Sequence, residues 1–131
     1  MRSHRLVAVA GAAVLTACLT TSTQAAAAAT DCTDHTFVQS GQVVEGRTAL
    51  PWSYFISPRA GTIQVCLDGP DDADFDLVLQ RMAYGGPETV ATASGEGADK
   101  TLSFNGVPSA YRVEVVATSG SGAYTVGATI P

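Results

Sequence analysis

Four aspartates lie close together in one short segment, and carboxylates at this spacing could hold a metal ion. Asp71, Asp72, Asp74 and Asp76 fall within six residues. Hard oxygen ligands gathered on a turn suit Ca²⁺, although the glycine and glutamate spacing of an EF-hand loop is absent. The alternative is structural: Asp74 and Asp76 accept hydrogen bonds from backbone N–H groups and pin the loop, while the other two carboxylates are solvated.

Catalytic chemistry finds little support in the residue types. Beyond the N-terminal segment the chain has one histidine, His35, and a Ser–His–Asp arrangement needs a histidine base. The neighbouring Asp34 would face the opposite way on a strand, and Ser94 lies in no nucleophile elbow. Asp74 and Asp76 could be read as a glycosidase pair, but a domain this small has little room for the cleft. We therefore predict that the protein is not an enzyme.

The first 29 residues have the three-part layout of a secretory signal peptide. A short cationic start precedes an uncharged, mostly apolar run at residues 6–19, and alanines follow up to Ala29. The run is shorter than the roughly 20 residues of a permanent membrane helix. We predict a signal peptide at 1–29, a domain at 30–131 and export to the extracellular space. Residues 15–18 also resemble a lipoprotein signal, which would instead anchor the chain at the cell surface through a lipidated Cys18.

Two cysteines remain after the predicted signal, Cys32 and Cys66. Export places them in an oxidising compartment, so a disulfide between them is the default interpretation. A metal thiolate pair is a poor alternative because no CxxC spacing exists and His35 is the only nearby histidine. In the chain-entropy model, closing this loop contributes on the order of 4 kcal/mol.

The charge balance excludes one class of partner. The chain has 7 Lys and Arg against 12 Asp and Glu, a formal net charge of −5. Removal of the signal takes Arg2 and Arg5 and leaves the acidic residues, so the mature domain is more negative still. Such a surface does not neutralise phosphates, and we expect no nucleic-acid binding. We also expect no transmembrane segment, and a monomer.

Alternating apolar and polar residues predict strands along the whole mature chain. In residues 111–115, Tyr111, Val113 and Val115 share one face, which is the period of a half-buried antiparallel strand. Residues 62–67 repeat the pattern and put Cys66 on the face opposite the apolar side chains. Further strands are predicted at residues 101–104, 124–126, 36–44, 52–56, 75–82 and 89–93. About eight short strands between Gly, Pro, Asn and Asp turns predict an all-β, antiparallel, jelly-roll-like β-sandwich.

Five segments in order give the chain a resemblance to a known family. Residues 69–81 (GPDDADFDLVLQR) are similar to the DFDLYLQ signature of the bacterial pre-peptidase C-terminal (PPC) domain. The other matching segments are 52–62, 90–94, 110–115 and 119–126. Val78 stands where the family usually has an aromatic residue, and Ala110 where it usually has glycine. The resemblance implies a non-catalytic jelly-roll module of the kind found beside secreted hydrolases. It also implies candidate calcium helpers among Asp31, Asp34 and Asp68.

The combined expectation is a secreted, non-catalytic accessory module that binds an extracellular polysaccharide or protein, requires no cofactor, and has calcium as a candidate stabiliser. Tyr84 lies at a predicted loop tip and is the candidate binding anchor, whereas the alternation places Trp52, Tyr111 and Tyr124 in the core. The alternatives are a partner-docking or protease-inhibiting protein, and a remnant of a secreted hydrolase.

Overall fold

The computed structural model describes residues 31–131 and is built of strands without helices in that range. The nine strands are β1 (Phe37–Val43), β2 (Thr48–Ala49), β3 (Phe55–Ser57), β4 (Gly61–Asp68), β5 (Asp74–Ala83), β6 (Gly86–Ala93), β7 (Lys100–Gly106), β8 (Ser109–Ser119) and β9 (Gly122–Thr129). The predicted signal peptide and Cys18 lie outside the described residues.

The strands form two antiparallel sheets packed as a sandwich, which confirms the predicted fold class. One sheet has the order β1-β9-β4-β7. The other has the order β2-β8-β5-β6, and β3 also pairs with β8. β2 and β3 lie one after the other along the same edge of the long β8. β2 pairs with Val115 and Val116, and β3 pairs with residues 109–111.

The core lies between the sheets and is filled by the faces that the alternation predicts. Leu77, Leu79, Val113, Val115 and Val126 are completely buried, and Leu102 is nearly so. Tyr111 and Tyr124 are core residues, as expected. Trp52 is only partly buried and packs edge-on against Phe55.

Strand boundaries differ from prediction where pairing, rather than the local pattern, decides them. β2 was not predicted, because two residues carry no visible period; pairing with β8 makes it a strand. β3 covers Phe55–Ser57 rather than residues 52–56. β6 begins at Gly86 rather than at Thr89, because the hairpin with β5 stays paired down to Ala83 and Gly86. Pro87 is tolerated there because β6 is an edge strand.

The connections give the sandwich two different ends. Loops 69–73, 94–99 and 120–121 gather at one end, which we call the acidic end because it carries Asp71, Asp72, Glu96 and Asp99. Turns 58–60, 84–85 and 107–108 gather at the opposite end, which we call the hairpin end. This separation follows directly from the up-and-down course of the antiparallel strands.

Candidate functional site

The predicted disulfide is present and holds the N-terminal segment on the outer face of one sheet. Cys32 and Cys66 are bonded, with their Cα atoms 5.4 Å apart. Cys66 points away from the sandwich core, as the strand period predicts, yet it is 3% exposed because the N-terminal segment covers it. Gly127, its neighbour on β9, makes this close approach possible: a Cβ atom there would collide with the Cys32 carbonyl oxygen and the His35 ring.

The four aspartates of the predicted calcium segment have different surroundings. Asp71 and Asp72 are exposed in loop 69–73, and Asp74 and Asp76 lie on the outward side of β5. Asp74 Oδ1 accepts a hydrogen bond from the Gly97 backbone N–H at 2.7 Å, as the structural interpretation expects. The same interpretation is wrong for Asp76, whose carboxylate accepts no hydrogen bond from residues 31–131. Within residues 31–131 no group of three or more His, Cys, Asp or Glu side chains is arranged to hold a metal ion. Calcium binding therefore stays a prediction.

Two loops of the acidic end are tied together by a set of contacts that we call the loop clasp, formed by Gly69, Asp74, Gly97, Asp99 and Lys100. The Asp99 carboxylate accepts the Gly69 N–H at 3.0 Å, the reciprocal of the bond between Gly97 and Asp74. The buried Lys100 ammonium donates to the backbone carbonyls of Glu96, at 3.2 Å, and Gly97. These bonds provide partners for backbone groups of both loops, and the Lys100 ammonium places one positive charge among the acidic side chains.

Asp99 and Lys100 were not identified from the sequence. The partner of Asp99, Gly69, lies 30 residues away in the chain, so no short motif carries the signal. Lys100 bonds locally, to the carbonyls of Glu96 and Gly97. A single lysine directly after an acidic turn was the only local indication. Its burial becomes apparent only once β7 is paired with β4, where Lys100 lies opposite Leu67.

The charges of several acidic side chains act on Asp68, which lies at the edge of the predicted segment. Partial burial and the adjacent Asp99 carboxyl raise the pKa of Asp68, and the negative charges of Asp31 and Asp71 add to the effect. At Asp31 the direction is opposite, since hydrogen bonds from the Thr33 hydroxyl and N–H lower its pKa. The charge of Asp31 thus acts on Asp68, and these are two of the three candidate helpers.

His35 has a structural partner. Its Nδ1 lies 2.9 Å from Thr129 Oγ1, and the ring packs over Gly127. The imidazole is therefore held by a threonine hydroxyl on the outer sheet face, whereas general-base catalysis in a triad requires a carboxylate partner and a nearby nucleophile. His35 thus helps to hold the N-terminal segment against β9.

Tyr84 is the most exposed large hydrophobic side chain among the described residues and stands at the tip of the β5–β6 turn, at the hairpin end. Two other exposed apolar residues share this end, Ile56 (61% exposed) and Val107 (50%), and Tyr54 (59%) lies farther from it, before β3. Single exposed apolar residues are ordinary, but several on one end of a small domain are typical of a contact surface. The predicted anchor therefore lies at the more apolar end, opposite the acidic loops.

No family model matches the chain. Among solved structures, it is similar to the pre-peptidase C-terminal domain of collagenase from Bacillus anthracis, with 19% identity, a TM-score of 0.58, and coverage of 71% of this chain and 88% of that one. It is also similar to the Yersinia pseudotuberculosis-derived mitogen, with 17% identity, a TM-score of 0.57, and coverage of 72% and 85%.

These similarities define the fold of the chain as a PPC-like β-sandwich. They confirm, at the level of the fold, the resemblance carried by the five sequence segments. The same sandwich serves a collagenase domain and a mitogen, so the fold does not by itself select an activity. Residues 31–131 contain no helix of the length and apolarity needed to cross a bilayer.

Proposed function

We propose that the chain is a secreted, non-catalytic binding module that contacts an extracellular polysaccharide or protein through its hairpin end. The observation that carries the proposal is the exposure of Tyr84, which stands with Ile56 and Val107 at the hairpin end, whereas the acidic loops and one exposed apolar residue, Val44, lie at the opposite end. An exposed aromatic ring on a short hairpin stacks on sugars or inserts between side chains at small entropic cost.

The rigidity of the underlying scaffold supports this role. The Tyr84 turn extends β5 and β6, and β5 is the central strand that pairs with both β6 and β8. An ion pair between Arg81 and Glu88, with 2.8 Å between nitrogen and oxygen, braces the hairpin just below the turn. The paired strands hold the backbone that carries Tyr84 in place, so binding needs to order only the side chain.

Secretion rests on the leader pattern and on the disulfide, which forms in oxidising compartments. The test is mass spectrometry of the protein from a culture. A soluble chain beginning between residues 26 and 30 supports soluble export. A membrane-bound chain beginning with a lipidated Cys18 supports anchoring, and retention of residues 1–29 in the cytoplasm would overturn both.

The binding test uses the purified domain, residues 30–131, with insoluble polysaccharides, fibrous collagen and secreted proteases. Retention on one polymer, reduced at least about tenfold by Tyr84→Ser, supports the proposal. Val44→Ser is the control, because Val44 is also apolar and largely exposed (63%) but lies beyond β1 at the other end. Inhibition of a protease would favour the docking alternative. Retention by no partner, or equal retention of both variants, would overturn the proposed surface.

A further inference from the structure

Strand β1 is an edge strand with an unusual composition. Its seven residues, FVQSGQV, contain no charge and no proline. Within residues 31–131 it pairs only with β9, so its other side presents unpaired backbone N–H and C=O groups. Phe37 and Val38 add partly exposed apolar side chains. An open edge of this kind is a template for pairing with another strand.

The remaining edges of the sandwich carry features that discourage such pairing. β6 contains Pro87 and the charged Glu88. β7, the other edge of the β1 sheet, begins with Lys100 and lies beside β6 across the seam of the two sheets. β2 and β3 have only two and three residues and are separated by a segment that contains Pro51. Short strands, prolines and charges are the usual protection of an exposed edge, and β1 has none of them. β1 lies beside β2 across the other seam, but no strand of residues 31–131 pairs with its open edge.

We propose that two copies of this chain associate reversibly through antiparallel pairing of β1 with β1, centred on Ser40. This register uses all seven residues and places Phe37 opposite Val43 and Val38 opposite Gln42 of the second copy. The side chains of two residues paired across the interface then lie on the same face of the sheet. The result is one continuous eight-stranded sheet across the two-fold axis, an isologous interface.

The charges favour a second copy in this orientation. No charged side chain lies on β1, so the paired strands bring no like charges together. The antiparallel arrangement also points the two acidic ends in opposite directions, whereas a parallel arrangement would place them side by side. The negative net charge of each copy still opposes association, and one strand pair forms a small interface. The dimer is therefore weak, and the monomer expected from the sequence is the form in dilute solution.

A cysteine substitution tests both the association and its register. In the proposed dimer Ser40 lies opposite itself, with Cα atoms about 4.5–5.5 Å apart, which is within disulfide range. Gln42 is separated from its own copy by about 14 Å along the strands. Under mild oxidation, Ser40→Cys is expected to give a covalent dimer at least about ten times faster than the matched control Gln42→Cys, as measured by intact mass. Equal rates of the two variants would overturn the register.

Sedimentation of the wild-type domain over a wide concentration range tests the association without any new thiol. The expected result is a reversible shift from monomer to dimer. Ser40→Lys places two ammonium groups face to face and is expected to abolish the shift. Thr101→Lys, at an equally exposed position on edge strand β7, is expected to leave it unchanged. A wild-type domain that stays monomeric at all concentrations, or a shift lost equally in both variants, overturns the proposal. Unchanged melting temperatures establish that both variants are folded.

Discussion

Replacing Asp74 by alanine removes the carboxylate that joins loop 94–99 to β5. Its Oδ1 accepts the Gly97 N–H at 2.7 Å, and Thr118 Oγ1 independently holds the Asp74 carbonyl at 2.9 Å. The side-chain bond is thus lost while the backbone of β5 stays fixed. We expect the Gly97 N–H to be left without its partner and loop 94–99 to loosen.

The size of the effect follows from the environment of the bond. A hydrogen bond to an ionised group contributes about 1.5–3 kcal/mol. Asp74 and Gly97 are only half-buried, so water partly replaces the lost acceptor, and relief of repulsion among the acidic side chains offsets a further part. We expect a loss of roughly 1–2 kcal/mol. For a domain of about 100 residues this lowers the melting temperature by roughly 4–16 °C.

Thermal unfolding followed by circular dichroism measures the change, with two matched variants. Asp74→Asn keeps an oxygen acceptor and is expected to lose less than Asp74→Ala. Asp76→Ala removes a carboxylate from the same face of β5, where no hydrogen bond to it forms within residues 31–131, and is expected to change stability by less than about 0.5 kcal/mol. An Asp76→Ala loss as large as that of Asp74→Ala would refute the assignment of the bond.

The same melting curves test calcium. If the ion binds the folded state, excess calcium raises the melting temperature by mass action, and Asp71→Asn and Asp74→Asn reduce the rise. If the loop clasp alone stabilises the acidic end, calcium leaves the curve unchanged while Asp74→Ala still lowers it. A melting temperature indifferent to both calcium and Asp74→Ala would reject both interpretations of the acidic segment.

Three further measurements probe the core, the disulfide and the acidic cluster. Val115→Ala should cost roughly 1–3 kcal/mol in denaturant unfolding, because the side chain is fully buried between the sheets; no loss would mean that β8 is misoriented. Replacing Cys32 and Cys66 together by serine should cost a few kcal/mol, about 4 in the chain-entropy model, without changing the far-ultraviolet spectrum. The folded-state pKa of Asp68 is raised, so its stabilising contribution is present below the unfolded pKa and is lost as the pH rises through the folded value. Asp68→Asn should accordingly stabilise the domain at neutral pH, by roughly 0.2–1 kcal/mol, and the gain should vanish in acid.

The parts of the fold that the sequence predicts are those set by local alternation. Phe75 and Leu77 face the core and Asp74 and Asp76 face outward because the strand period is two. The same period placed Cys66 on the outer face, where the N-terminal segment reaches it. The limits of β6 could not be predicted this way, because hydrogen bonds to β5 extend the strand through Gly86 and Pro87 despite their turn-forming character.

The candidate site likewise has parts that local sequence predicts and parts that depend on strand pairing. Tyr84 was predicted correctly as a loop-tip residue, because Gly85 and Gly86 mark the turn locally. Carboxylate spacing predicted a calcium segment of four aspartates, which stays a prediction, and it gave no indication that the Asp99 carboxyl acts on Asp68. The contacts that decide this run between β4 and β7, strands distant in sequence. Local spacing therefore indicates which residues are acidic and exposed, whereas the pairing of strands decides which of them meet.

The two proposals make a joint prediction that neither makes alone. An antiparallel pair of β1 strands carries the hairpin ends, and with them the two Tyr84 rings, at opposite extremes of the dimer. A dimer of this shape is bivalent and can bridge two polymer chains, and bivalence raises the apparent affinity without any new contact. Wild-type domain at high concentration should therefore bundle the polymer it binds. Ser40→Lys should bind single chains without bundling them, and Tyr84→Ser should lose both activities. Bundling that survives Ser40→Lys would separate polymer binding from the β1 edge and leave the dimer without a role in it.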